Sequence, residues 1–187
     1  MADFLTAYQV VLAHEGGYAN DPDDTGGETY KGISRKNFPN WEGWRIIDLH
    51  RTHNDFPAVL DKSERLAQYA QDFYRKNFWN KMSLGKVKLQ SIATELFDTG
   101  VNMGDKTAAM FLQIALNATN RNQRDYFDVA EDGKIGEQTL SALNAHPYPA
   151  SVLKLLNIQQ GYRYLSITRA SPTQEKFLRS WLSRVAI

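Results

Sequence analysis

The chain has no cysteine among its 187 residues, so disulfide cross-links and thiol nucleophiles are excluded and folding is independent of the redox compartment. Excess charge is also lacking: 22 Lys and Arg against 21 Asp and Glu leave a net charge of +1, which argues against a globally basic nucleic-acid binder. No apolar run approaches the roughly 18 residues of a membrane span, so no integral membrane segment is expected. The opening stretch MADFLTAYQVVLAHEGG has no basic region followed by an apolar core and a small-residue cleavage site, so it does not read as a signal peptide. Metal and phosphate signatures are missing too. There is no His-Glu-x-x-His, and His50 and His53 alone are a weak zinc signal. Asp128, Glu131 and Asp132 fall short of the oxygen ladder of an EF-hand, and Gly133 to Gly136 lacks the Gly-Lys-Ser/Thr of a phosphate loop. No metal and no organic cofactor is expected.

What is present is concentrated in residues 14–33, HEGGYANDPDDTGGETYKGI. The segment before it carries Phe4, Leu5, Tyr8, Val11 and Leu12 at helical spacing with Asp3 as N-cap, and continuing the 4, 8, 11 stripe reaches Glu15. A Glu near a helix end is ordinarily a solvated surface residue. At the end of an apolar stripe, however, desolvation disfavours the carboxylate, as does the negative end of the helix dipole. Gly16 and Gly17 stop the helix. A carboxyl held protonated in this way has the profile of a general acid. Asp21, Asp23 and Asp24 follow in a turn-rich loop with Asn20, Pro22, Gly26 and Gly27, so a second carboxylate is expected near the first. That pairing is what glycoside hydrolysis requires, one group protonating the leaving oxygen and the other stabilising positive charge or orienting water.

The ordered string Glu15-Gly16-Gly17-Tyr18, Asn20-Asp21-Pro22-Asp23-Asp24, Gly26-Gly27-Glu28-Thr29 and Gly32-Ile33-Ser34 resembles the N-terminal signature of glycoside hydrolase family 108, the lysozyme-like N-acetylmuramidases. The resemblance implies that Glu15 is the catalytic proton donor. Phage lysozymes, more distantly similar, carry a Glu, an Asp and a Thr in that order, the last two on a small hairpin. Asp24 and Thr29 fit that order, with Asp21 and Asp23 as rivals for the partner role. Tyr18, Asp21, Asp23, Tyr30, Asp98 and Asn102 are the candidate substrate contacts.

Further along, residues 35–57 read as irregular, because Pro39 and Pro57 break helices while Trp41, Trp44, Ile46 and Ile47 gather apolar mass in a loop. Exposed tryptophans can stack on pyranose faces, but loop tryptophans more often pin the loop to the core. A helix is expected over 63–79, capped by Ser63, with Leu66, Tyr69, Ala70, Phe73 and Phe78 on its apolar side. Asn80 to Lys88 is the candidate boundary. Helices are then expected over 89–103, 106–117, 137–144, 149 to about 169, and from Pro172 onward. Asp98 and Asn102, four apart on the first of these, are either a helix-surface pair or the polar lip of a cleft. Residues 151–187 hold a local excess of five positive charges, an ordinary solvated face that would also suit an anionic wall polymer.

The second half carries its own resemblance. Phe97-Asp98-Thr99-Gly100-Val101-Asn102-Met103-Gly104, Leu112-Gln113-x-Ala115-Leu116-Asn117 and Asp132-Gly133-x-Ile135-Gly136-x-x-Thr139-Leu140 are similar to the predicted peptidoglycan-binding region that accompanies family 108 catalytic segments. The expected architecture is mainly α, a lysozyme-like helical fold with a small β-hairpin or loop lobe after the first helix. Residues 1–86 form the catalytic segment and 87–187 the helical region, packed into the same globule. What the resemblance implies is hydrolysis of the β-1,4 bond between N-acetylmuramic acid and N-acetylglucosamine, with peptidoglycan glycan strands as partner and a monomer as the working form. The same single acid would serve a lytic transglycosylase, and a decayed site would leave a non-catalytic peptidoglycan-binding or assembly protein. The chain is expected to be made in a bacterial or phage-infected cytoplasm. It would then reach the wall by export or holin-type release, as an endolysin or a secretion-associated factor.

Overall fold

The computed structural model describes residues 1–12, 16–20 and 27–185. Among them are eight α-helices: α1 (Phe4–Leu12), α2 (Gly43–His50), α3 (Glu64–Tyr74), α4 (Gln90–Met103), α5 (Asp105–Thr119), α6 (Glu137–Ala145), α7 (Pro149–Ala170) and α8 (Glu175–Leu182). Three short strands, β1 (Tyr18–Ala19), β2 (Thr29–Tyr30) and β3 (Ile33–Ser34), form one antiparallel sheet in that order. This is a mainly α, lysozyme-like architecture with a small β-lobe after the first helix. The chain divides into two compact units, Tyr8–Asn77 and the remainder, Met1–Ala7 with Phe78–Ile187.

In the unit Tyr8–Asn77, the tightest feature is the β2–β3 turn. Tyr30 pairs with Ile33, leaving Lys31 and Gly32 as a two-residue loop, both at positive φ (46° and 77°). Two such residues make the mirror-image turn whose twist matches a hairpin. The turn is tied down by the Tyr74 hydroxyl, which donates to the Lys31 carbonyl at 2.5 Å, and by the Lys31 amide donating to Gly17. Tyr30, Ile33, Trp44, Ile47, Leu60 and Leu66 are each at most 3% exposed and make the core.

The expectation of irregular chain over 35–57 is corrected by α2. Pro39 and Pro57 lie outside Gly43–His50 and bound the helix instead of interrupting it, while Trp44 and Ile47, three apart, share its buried side. Trp41 precedes α2, its ring over Gly43, where a Cβ would collide, and its Nε1 donating to the Tyr69 carbonyl. At α3 the Ser63 hydroxyl accepts from the Leu66 amide, the N-cap expected of it. The α-helical geometry ends at Tyr74 and continues as a π-helical turn over Arg75–Asn80, so the segment expected as one helix changes its winding partway.

In the other unit, α4, α5 and α7 pack on one another. Asp3 caps α1, its Oδ1 accepting from the Thr6 amide at 2.8 Å, and Phe4 meets Trp79 and Phe97 edge-to-face. The loop between α5 and α6 is held by two side chains of α5. Gln113, 1% exposed, donates to Asp132 Oδ1 and the Lys134 carbonyl and accepts the Gly133 amide; Asn117 donates to the Val129 carbonyl and accepts its amide. Gly133 sits at φ 72° against Lys106, a place no side chain fits. The Leu-Gln-x-Ala-Leu-Asn and Asp-Gly-x-Ile-Gly strings therefore meet as the two halves of one structural clasp.

Candidate active site

Glu15, Asp21, Asp23 and Asp24 lie outside the described residues. The described part of the site is the small sheet. Thr29 lies on its central strand, half-buried, opposite Ala19 on one side and Ser34 on the other. Tyr18, paired across from Tyr30, is half-buried and meets Phe56 edge-to-face at 4.8 Å. Tyr30 is 1% exposed, its ring stacked on Trp41 at 6.0 Å, and burial pushes its hydroxyl up to about 12. It thus supports the sheet from beneath, and of the two tyrosines only Tyr18 retains surface.

Strands of two residues do not hold themselves together. Besides the buried Tyr30 and Ile33, the lobe is braced by a ring of four charges that sequence reading missed. Glu28, immediately before Thr29, has a side chain only 10% exposed; its Oε1 lies 2.6 Å from Arg51 Nη2 and its Oε2 2.7 Å from Arg35 Nε. The latter is close in distance but poorly aligned as a hydrogen bond. Asp48 on α2 closes the ring, accepting from Arg35 at 2.7 and 3.1 Å and from Arg51 Nε at 3.0 Å. The Arg35 hydrogen bond, helped by Arg51, holds the Asp48 carboxyl below its usual range. Arg51 also donates to the Tyr18 hydroxyl at 3.4 Å, while burial and the Glu28 carboxylate push that hydroxyl's pKa up. Only the Asp48–Arg51 pair, three apart across the C-terminal end of α2, had a local signal. The others, Glu28–Arg35, Arg35–Asp48 and Glu28–Arg51, join residues 7, 13 and 23 positions apart in different elements, and no periodicity reports such pairings.

Asp98 and Asn102 both have partners inside their own unit. Asp98 is 5% exposed: Arg184 donates to one carboxylate oxygen at 2.6 Å and Gln160 to the other at 3.1 Å. Asn102 accepts from the Tyr164 hydroxyl at 3.0 Å. Beside them Glu95, 8% exposed, accepts from Thr99, and burial with the neighbouring Asp98 charge pushes its pKa up to about 7. Among the described residues no three His, Asp or Glu side chains gather as a metal site. His50 and His53 face local backbone, the Ile46 carbonyl and the Asp55 amide.

Among the described residues, the eight helices and the small three-stranded antiparallel sheet define the mainly α, lysozyme-like fold class. The glycosyl hydrolase 108 family model matches residues 8–104, more than half the chain, and the chain belongs to that family. A second model, described as a predicted peptidoglycan domain, matches residues 107–186. Together they make this a protein of lysozyme-like function that acts on peptidoglycan. Among solved structures the chain is similar to Brucella abortus SagA, at 26% identity over 97% of this chain and 88% of that one, with a TM-score of 0.65. No curated protein matches. Among the described residues no helix is long and apolar enough to cross a membrane.

Proposed function

We propose that the protein is an N-acetylmuramidase that hydrolyses the β-1,4 bond between N-acetylmuramic acid and N-acetylglucosamine. Glu15, protonated, donates to the glycosidic oxygen as the bond to the anomeric carbon breaks. Asp24 and Thr29 hold the attacking water or stabilise the oxocarbenium-like transition state, with Asp21 and Asp23 the rival carboxylates. The observation that carries this reading is the family 108 match across the whole Glu15–Thr29 stretch, together with the place of Thr29 on the central strand of a charge-braced hairpin. A water attacking the face opposite the leaving group gives inversion, which calls for the two carboxyls to stand roughly 6.5–9.5 Å apart. Acting on the wall, the protein would work in the periplasm, after export or holin-type release.

The test is mass analysis of peptidoglycan digested by the wild type and by Glu15→Gln. Free reducing muramyl ends from the wild type and their loss in the variant are expected. Anhydro-muramyl ends would make the protein a lytic transglycosylase. A fully active Glu15→Gln would remove Glu15 from its role.

A further inference from the structure

In the unit Tyr8–Asn77 a surface pocket of about 560 Å³ opens between the segment before α2 and the C-terminal half of α3. Its aromatic lining is Phe38, Trp41, Tyr69 and Phe73, and its polar lining includes Asn40 and Asp72. These aromatics are fixed without a ligand. Trp41 is pinned over Gly43, against Tyr30 and by its bond to the Tyr69 carbonyl. Tyr69 has its hydroxyl gripped by the Arg65 fork at 2.9 and 3.1 Å, and Phe73 is buried. Phe38, 38% exposed, stands edge-on to Phe73 at 4.7 Å and keeps ring surface in the solvent. A large aromatic left exposed beside a preformed pocket has its cost in water recovered when a ligand covers it.

We propose that this pocket binds an N-acetylglucosamine unit of a glycan strand, as a contact additional to the Glu15–Thr29 site; the proposal rests on the reading of the protein as glycan-acting. The ligand class follows from the lining. A pyranose with equatorial substituents presents C–H groups on its face and hydroxyls and an acetamide around its rim, which suits aromatic rings bordered by amides and carboxylates. The carboxylates of Glu42 and Asp72 at the same mouth outnumber the cation Lys76 among the described lining residues and oppose an acidic ligand, so the neutral hexosamine is preferred to a sugar with a free lactyl carboxylate or an acidic stem peptide. Trp41 ties the pocket to the sheet: its ring stacks on Tyr30, the residue that follows Thr29.

The experiment titrates the full chain carrying Glu15→Gln, labelled with ¹⁵N, with tetra-N-acetylchitotetraose. Shifts at the amides of Phe38, Asn40 and Tyr69 and at the Trp41 indole are expected. Phe38→Ala and Phe38→Leu should weaken binding read at those signals by about threefold to tenfold, and Phe38→Tyr should restore it. Absence of shifts at these residues, or unchanged affinity in Phe38→Ala with its spectrum otherwise native, would overturn the pocket. The muramidase reading fails separately: it falls if Glu15→Gln digests peptidoglycan as well as the wild type, whatever the titration shows.

Discussion

Arg184→Ala tests whether Asp98 belongs to the architecture or to the glycan. The Asp98–Arg184 pair spans 2.6 Å, with side chains 7% and 8% exposed, so both charges have left water. Removing one partner of such a pair costs about 3–5 kcal/mol, because the other is stranded in a medium that solvates it poorly. The neighbourhood offers little relief: Gln160, fully buried, already gives its Nε2 to Asp98 and Thr99, and its own Oε1 has no partner among the described residues. For a chain of this length each kcal/mol shifts the melting temperature by about 2–4 °C, so Arg184→Ala should melt about 6–20 °C lower. Thermal unfolding at pH 7 measures the shift and urea unfolding the free-energy loss, both followed by tryptophan fluorescence. The probe is local as well as global, since Trp181 stacks on Tyr164 at 5.3 Å in the same unit. The double variant Asp98→Leu/Arg184→Met removes both charges and should recover most of the loss. A cost below about 1 kcal/mol for Arg184→Ala would refute the reasoning. So would an Asp98→Asn chain of native stability that no longer binds glycan, since a cleft-lip residue would behave in that way.

Two further perturbations follow from the charged groups. Glu95 has its pKa raised from 4.5 to about 7, so the folded protein binds this proton more tightly than the unfolded chain. Its stabilising contribution is full below about pH 4.5, declines as the pH rises to about 7, and is then gone, a change on the order of 3 kcal/mol. Glu95→Gln should flatten that part of the stability–pH curve and be more stable than wild type at pH 8; an unchanged slope between pH 5 and 7 would contradict the assignment. At the sheet, Glu28→Gln leaves Arg35 and Arg51 sharing only Asp48. Since these arginines are about a third exposed, the stability loss should be about 1 kcal/mol, whereas turnover on peptidoglycan should drop about tenfold or more as Thr29 loses its brace. Equal losses in Glu28→Gln and Glu28→Asp, tracking melting temperature alone, would reduce the ring to a purely structural role.

Much of the molecule was legible because its determinants are local. Asp3 and Ser63 announce helix starts by side chains that reach amides three residues on, and Pro149 opens α7 with a φ already helical. The small hairpin expected after the first helix is present, turning at Lys31 and Gly32, both at positive φ. The ordered Glu15–Ser34 string placed the chain in its family without reference to packing. α2 escaped because eight residues with three buried positions, one of them a glycine, give little period to detect, and the flanking prolines drew attention as breakers.

What the sequence by itself determined is where most of the helices begin, α2 excepted, and which carboxylates stand close to Glu15 along the chain, since each depends on backbone preference and short-range spacing. What only the tertiary structure decided is how distant charges are used. Glu28 became the centre of a ring with Arg35 and Arg51, Asp98 was claimed by Arg184 from 86 residues away, and Gln113 became the clasp of a loop. A buried charge or amide must find partners wherever the fold brings them, and that pairing has no period in the sequence to announce it.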